Sequence, residues 1–384
     1  MTHDSVAPDV LVVGHEASRT GAVVQLLTVA REWRAAGHRF EFVLRRGGPL
    51  ADQHRQIADT RLLTAARLAG ARRQWDRARV GHWWDSAALT AGPGRQGKFG
   101  RLFLNTATNA DILPSLGHQP AVVWVHEQAP LLEALVAPRA RRRLATPRCR
   151  LVAASASVRD DLVRLLEVDS SKVAVVHPAL PPLDGVVDID GARAALRAEL
   201  GLEKDALVVG ACGALSWEKA PEDLIAIAGK VATRAARPVA FAWLGEGRSS
   251  QDLADLTRKA SAAGGIVRFL GARPDAARYL AGLDLLVVPS RSDSFPIVAL
   301  EAGRAGVATV CFGDAGGIKE LVRTDAGVVI PRRDLAAMAA AIVEVLESPD
   351  RRRDMGDRMR SRVLTEHEPA RTASQLWAEL DHLS

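Results

Sequence analysis

The chain has 384 residues, of which 48% are hydrophobic, 25% charged and 4% aromatic, with a formal charge of +6. That length is more than one hydrophobic core usually serves, so two domains are expected, and no apolar run reaches the roughly eighteen residues of a membrane span. Positive charge suits anionic ligands, but there is no basic patch interleaved with stacking rings, which argues against nucleic acid.

The opening "MTHDSVAPDV" leads straight into an apolar run without a signal-like segment, and Cys149, Cys212 and Cys311 are scattered. A reduced, cytoplasmic protein is expected from both features. "DVLVVGHEAS" reads as a strand, and "GAVVQLLTVAREWRAAG" has helical apolar spacing that ends at Gly37. "HRFEFVLRR" is a second strand followed by a turn, "GGPLADQ"; "RLFLNTAT", "AVVWVHEQ" and "RLVAASAS" are further buried strands, each followed by a helical stretch. Residues 70–100, with adjacent tryptophans in "HWWDSAALTAGPGRQGK", fit neither period and read as a long loop.

"HPALPPLDGVVDID" places three prolines within residues 178–183 and predicts a linker. The alternation then resumes with "ALVVGACGAL", "PVAFAWLGEG", "GIVRFLGA", "DLLVVPS" and "ATVCFGD", and the chain closes on an amphipathic helix, "EPARTASQLWAELDHL". Such alternation builds doubly wound parallel sheets with helices on both faces. The expected domains are residues 1–182, joined by 366–384, and residues 183–365. A ligand cleft between them is expected.

Within "DLLVVPSRSDSFPIVALEAGRAG" a strand, a polar turn and a helix follow one another, with Pro296 in the first helical turn and Gly303 or Gly306 at the end. The turn therefore lies at a helix N-terminus, where free N–H groups favour an anion. Glu301 sits about 8 Å along that axis, and its side chain leans back toward the turn that holds Asp293. The plainer account makes Asp293 a turn residue and pairs Glu301 with Arg304.

"SDSFPIVALEAGRAGVATVCFGDAGGIKELV" resembles the signature of the group 1 glycosyltransferases, the retaining family with the GT-B fold, in which an acid, seven residues and a glutamate hold the donor. The resemblance implies that Glu301 binds the nucleotide ribose and Asp293 hydroxyls of the transferred sugar, with the N–H groups of Ser294, Phe295, Pro296 and Ile297 facing phosphate and sugar. "GACGALSWEKAPEDLIAIA" is similar to the family's glycine turn and lysine, so Gly213 and Lys219 would meet the diphosphate. Ala214 and Glu218 stand where many members carry an arginine, which leaves Arg19 or Arg248 as a second cation. The loop "VVGHEASRTGAV", with Arg19, Thr20 and Gly21, would approach the donor or acceptor. His126 would contact the transferred sugar, and Gly245 in "WLGEGRSS" would line the nucleotide.

The implied activity is transfer of a sugar from a nucleotide-diphosphate sugar to an acceptor hydroxyl on a glycan, lipid-linked intermediate or small molecule. No cofactor and no catalytic metal are expected: Asp188 and Asp190 precede a helix and are read as capping residues. Six arginines between Arg139 and Arg150 form a solvated face or a contact with anionic lipid. The competing functions are a non-catalytic sugar-nucleotide binder and a sugar-nucleotide epimerase of similar fold.

Overall fold

A computed structural model describes residues 9–63, 99–183, 185–247 and 249–383. Most of the segment 70–100, and Arg248, lie outside the described residues. The chain forms two compact units, drawn from Met1–Pro181 with Pro369–Ser384, and from Pro182–Glu368.

The first unit is built on seven strands: β1 (Val10–Gly14), β2 (Phe40–Leu44), β3 (Thr60–Leu62), β4 (Arg101–Asn105), β5 (Ala121–Val125), β6 (Cys149–Ala153) and β7 (Val173–Val175). They lie in the order β3-β2-β1-β4-β5-β6-β7, and every pairing is parallel. The central strands are apolar throughout because both faces are covered, and alternate side chains feed separate cores. Leu11, Val13, Leu102, Leu104 and Val123 enter one core. Val10, Val12, Phe42, Phe103 and Trp124 enter the other.

That second core is closed by the helices Gly21–Ala35 and Pro369–Asp381. Trp33 donates from its indole nitrogen to the Ala373 carbonyl at 2.8 Å and meets Trp377 edge-on at 5.4 Å. Arg150 to Glu379, at 2.6 Å, and Arg101 to Asp381, at 2.7 Å, fasten the same helix. The proline segment is anchored too: Gln25 donates to the Ala179 carbonyl and accepts from its N–H, both at 2.7 Å.

The second unit holds β8 (Leu207–Cys212), β9 (Val239–Leu244), β10 (Val267–Gly271), β11 (Leu285–Val288), β12 (Thr309–Phe312) and β13 (Gly327–Ile330), in the order β10-β9-β8-β11-β12-β13 and again parallel. The helix Ile297–Arg304 after β11 is packed against the helix Pro349–Glu366. A Cβ on Gly303 would sit 2.8 Å from Met359 and Val363, and one on Gly356 would sit 1.9 Å from the Gly306 carbonyl oxygen. These glycines allow a close helix crossing and fix the site-bearing helix rigidly.

The strands read from long apolar runs are all present. β3, β7 and β13 have no such signal, being only three or four residues long and at sheet edges. Part of "GGPLADQ", expected as a turn, is instead the start of the helix Ala51–Ile57, entered through Leu50. Pro296 occupies the N-cap of its helix rather than the first turn. Gly303 is buried inside that helix, and Gly306, at φ +77°, follows its end.

Candidate active site

In doubly wound sheets ligands bind beyond the carboxyl ends of the strands, where the strand order reverses. In the second unit that point lies between β8 and β11, the two strands that carry the lysine and acid segments.

Beyond β8, Gly213 has φ +153°, and a Cβ there would press on the Lys219 side chain at 3.3 Å. The lysine stem thus lies across the bare glycine backbone. Gly245 (φ +132°) repeats the device at the end of β9, since its Cβ would fall 2.0 Å from the Gly213 carbonyl oxygen. That oxygen accepts from the Trp243 indole at 2.9 Å. Ala220, immediately after Lys219, is left-handed at φ 56° and fully buried. A non-glycine residue in that region stores strain of about 1–3 kcal/mol, which surrounding packing must hold. Here the strained turn aims Lys219 at Asp293, and Lys219 Nζ lies 2.5 Å from Asp293 Oδ2.

Asp293 itself is well fixed. Its N–H donates to the Ala315 carbonyl at 2.8 Å, and its carbonyl accepts from Gly317 at 3.3 Å. Arg291 binds the segment to the helix after Lys219, donating from its guanidinium to Asp223 at 2.9 Å and to the Trp217 carbonyl at 2.8 Å. Its N–H also donates to the Glu218 carbonyl at 2.7 Å. Arg333 pairs with the same Asp223. Arg291, Asp223 and Arg333 were not read from the sequence, because nothing local marks three separated residues as one brace.

Among the described residues, the N–H groups of Ser294 and Ile297 have no intramolecular acceptor. Pro296 carries no N–H, so the four-residue donor set expected from the sequence is smaller. Phe295 turns its ring into the core, 5.3 Å from the His367 ring, and leaves only backbone to the site. Glu301 makes no hydrogen bond or ion pair among the described residues. Burial pushes its pKa up to about 7 against the opposing pull of Arg304, which does not close into an ion pair with it. A largely buried carboxyl without a hydrogen-bond partner among the described residues is a group that an outside ligand can satisfy.

The first unit assembles a different set at the ends of β1, β4 and β5. Asn105 donates from its amide to the Ala22 carbonyl at 2.9 Å, which turns its oxygen toward His126 Nε2 at 3.2 Å. His126 must therefore carry its proton on Nε2, leaving Nδ1 as a hydrogen-bond acceptor. Burial, and secondarily the nearby His15, lowers its pKa to about 3, so the ring is neutral. It packs on Trp124 at 4.3 Å between ring centroids. Glu127 accepts the N–H groups of His126 at 3.1 Å and Ala107 at 3.2 Å. Sequence reading singled out His126 but missed Asn105, whose only local mark is a polar residue closing an apolar strand.

Arg19 and Gly21 lie in the loop and helix start after β1, both exposed. Gly21 opens the helix without a positive φ, and Thr20, its N-cap, makes no side-chain cap. Asp188 accepts the Gly191 N–H at 3.0 Å as a helix cap. No group of three or more His, Cys, Asp or Glu among the described residues could hold a metal ion. Three of the six clustered arginines have internal partners: Arg143 with the Asp111 carbonyl, Arg148 with the Gln119 carbonyl and Arg150 with Glu379.

Solved structures share this architecture. An Anabaena HepE in complex with UDP and glucose superposes with a TM-score of 0.77 at 18% identity, covering 97% of this chain and 99% of that one. WaaG, a glycosyltransferase of lipopolysaccharide biosynthesis, gives 0.71 at 15% identity, covering 96% and 99%. The fold is thus that of the GT-B glycosyltransferases. Residues 206–348 match the family model "Glycosyl transferases group 1". Curated relatives named D-inositol 3-phosphate glycosyltransferase are 34% identical over 220 residues in Streptomyces scabiei, covering 54% of this chain and 48% of the relative, and 32% over 233 residues in Kineococcus radiotolerans, covering 56% and 53%. The chain spans about half the length of the curated relatives it matches. Over residues 206–348 the chain is thus similar to the group 1 glycosyltransferases, and its fold is the one they share.

Proposed function

We propose that the protein transfers a glycosyl unit from a nucleoside diphosphate sugar to an acceptor hydroxyl, with retention at the anomeric carbon. The observation that carries this reading is the placement of Lys219 over Gly213 and against Asp293, beside free backbone donors and an unpartnered Glu301 carboxylate. In this assignment Glu301 receives the ribose hydroxyls, and Asp293 receives sugar hydroxyls once Lys219 is drawn to the diphosphate. The Ser294 and Ile297 N–H groups meet phosphate or sugar oxygens. His126 Nδ1 accepts from a hydroxyl of the transferred sugar.

The reaction breaks the bond between the anomeric carbon and the diphosphate oxygen and forms one from the acceptor oxygen on the same face. The acceptor proton passes to the departing phosphate. Negative charge grows on that phosphate in the transition state, and Lys219 is positioned to stabilise it. The proposal assigns this charge to protein groups and not to a metal ion, so EDTA is expected to leave turnover unchanged.

The test is release of nucleoside diphosphate from UDP, GDP, ADP and TDP sugars, with the product anomer read by NMR. The relatives' names place phosphorylated inositol first on the acceptor panel. Turnover abolished by Lys219→Ala supports transfer. Tight donor binding with neither hydrolysis nor transfer on any acceptor overturns it.

A further inference from the structure

The carboxyl ends of β8 and β11 carry the residues assigned to the donor, and a pocket lies at the opposite, amino ends of β11 and β12. Its volume is about 380 Å³, and its charged lining is Arg193, Arg352, Arg353, Arg360, Asp284 and Asp357. Asp284 immediately precedes β11, and Val307, also in the lining, precedes β12.

The pocket follows from chain geometry. Gly356 and Gly306 cross backbone to backbone, which presses the helix Pro349–Glu366 against the 305–307 turn and brings its first turns to the rim. That helix is 18 residues long, and its N-cap, Ser348, makes no side-chain cap. Its first residue, Pro349, has no N–H, and the Arg352 N–H donates to the Ser348 carbonyl at 2.9 Å, so the charge at this rim comes from side chains.

Four guanidinium groups face two carboxylates, Asp284 and Asp357. Asp284 is already committed: it accepts from Arg197 at 2.6 Å and from the Val208 N–H at 2.8 Å, and it pairs with Arg193. Arg353 reaches only Asp350 in its own helix, at 3.5 Å. The Arg360 guanidinium has no partner among the described residues. Arg352 is half-buried, with one nitrogen on the Leu346 carbonyl at 2.8 Å. Burial, and then the like charges of Arg193, Arg237 and Arg353, hold its pKa below the usual guanidinium range despite Asp284. Crowded guanidinium groups beside a helix start, in a cavity larger than one small ion needs, match a phosphate with an organic body attached.

We propose that this pocket binds a phosphate group, as an anion site separate from the donor residues. The phosphate belongs either to a soluble organophosphate or to an anionic lipid headgroup. Its charge meets Arg352, Arg353 and Arg360, and the attached body occupies the remaining volume along Ile189 and Val307.

The experiment uses the full chain carrying Lys219→Ala, to weaken anion binding at the donor site, and measures inorganic pyrophosphate by calorimetry. Binding is expected and weakens with salt. Arg353→Glu with Arg360→Glu, both exposed positions, is expected to lower affinity about tenfold or more at unchanged Tm; Arg352→Ala is expected to lower affinity as well, with some loss of Tm because its bond to the Leu346 carbonyl goes. Flotation with phosphatidylglycerol–phosphatidylcholine vesicles separates the sources. Capture lost in the double variant assigns the lipid headgroup; no capture alongside pyrophosphate binding assigns the soluble phosphate. If neither pyrophosphate nor vesicles bind, or if both bind equally well after the double substitution, the proposal is overturned. These readouts do not depend on transfer activity.

Discussion

The two units place polar groups at equivalent points of similar sheets, but by opposite electrostatic means. At β1, β4 and β5 the groups form a neutral network: His126 is held uncharged, its tautomer set by Asn105. At β8 and β11 the groups are ionic: Lys219 faces Asp293, and Glu301 stands close to its titration point. A neutral network discriminates among hydroxyls by hydrogen-bond direction, while a charged one responds to developing phosphate charge. Under the proposed reaction, the neutral set would position hydroxyls and the ionic set would stabilise phosphate charge.

The strongest break in the comparison is Lys219→Ala. Nucleoside diphosphate release is expected to fall about a hundredfold to a thousandfold, the usual cost of removing one group aimed at transition-state charge. His126→Ala, on the neutral side, is expected to cost less, and His126→Gln, which retains an acceptor, less still.

Gly245→Ala tests the scaffold of the charged side. Its Cβ meets the Gly213 carbonyl and its φ is +132°, so a loss of about 1–3 kcal/mol in stability is expected by thermal unfolding, with Lys219 displaced.

Glu301 sharpens the contrast through pH. If the ionised carboxylate accepts ribose hydroxyls, donor affinity measured by titration rises as pH passes upward through about 7 and then levels. Glu301→Gln is expected to flatten that rise. Stability runs the other way: the native group holds its proton above the unfolded value of 4.5, so stability is lost as pH rises from there to about 7. Relative to wild type, the Gln variant is therefore expected to gain Tm above pH 7 and nothing below pH 4.

The smallest effect is on His126. Its native pKa lies near 3, below the ordinary 6.5, so its contribution to stability is complete above that value and declines as pH falls toward 3. His126→Gln is expected to remove this acid sensitivity in urea titrations. Asn105→Ala frees the ring tautomer, with a few-fold loss of turnover expected.

Legibility in the sequence followed locality. Strands buried on both faces announce themselves as continuous apolar runs, and the acid–turn–helix segment is contiguous, so Asp293 and Glu301 could be placed in one reading. Edge strands such as "TRL" and "VAV" are too short and too exposed to carry a pattern. Burial of the Phe295 ring had no local mark, because its ring partner, His367, lies far along the chain. The same reason hid the Asp223 brace: its three members are joined only by the fold.

The helix Pro369–Asp381 completes the first unit's core, yet it is translated after the whole of the second. Leu376 and Leu380 are fully buried there. Closure of the first unit's core therefore waits on residues made after the second unit, and until then the Trp33 face stays uncovered. A ribosome stalled before residue 369 would hold an unfinished first unit, open to chaperones and proteases.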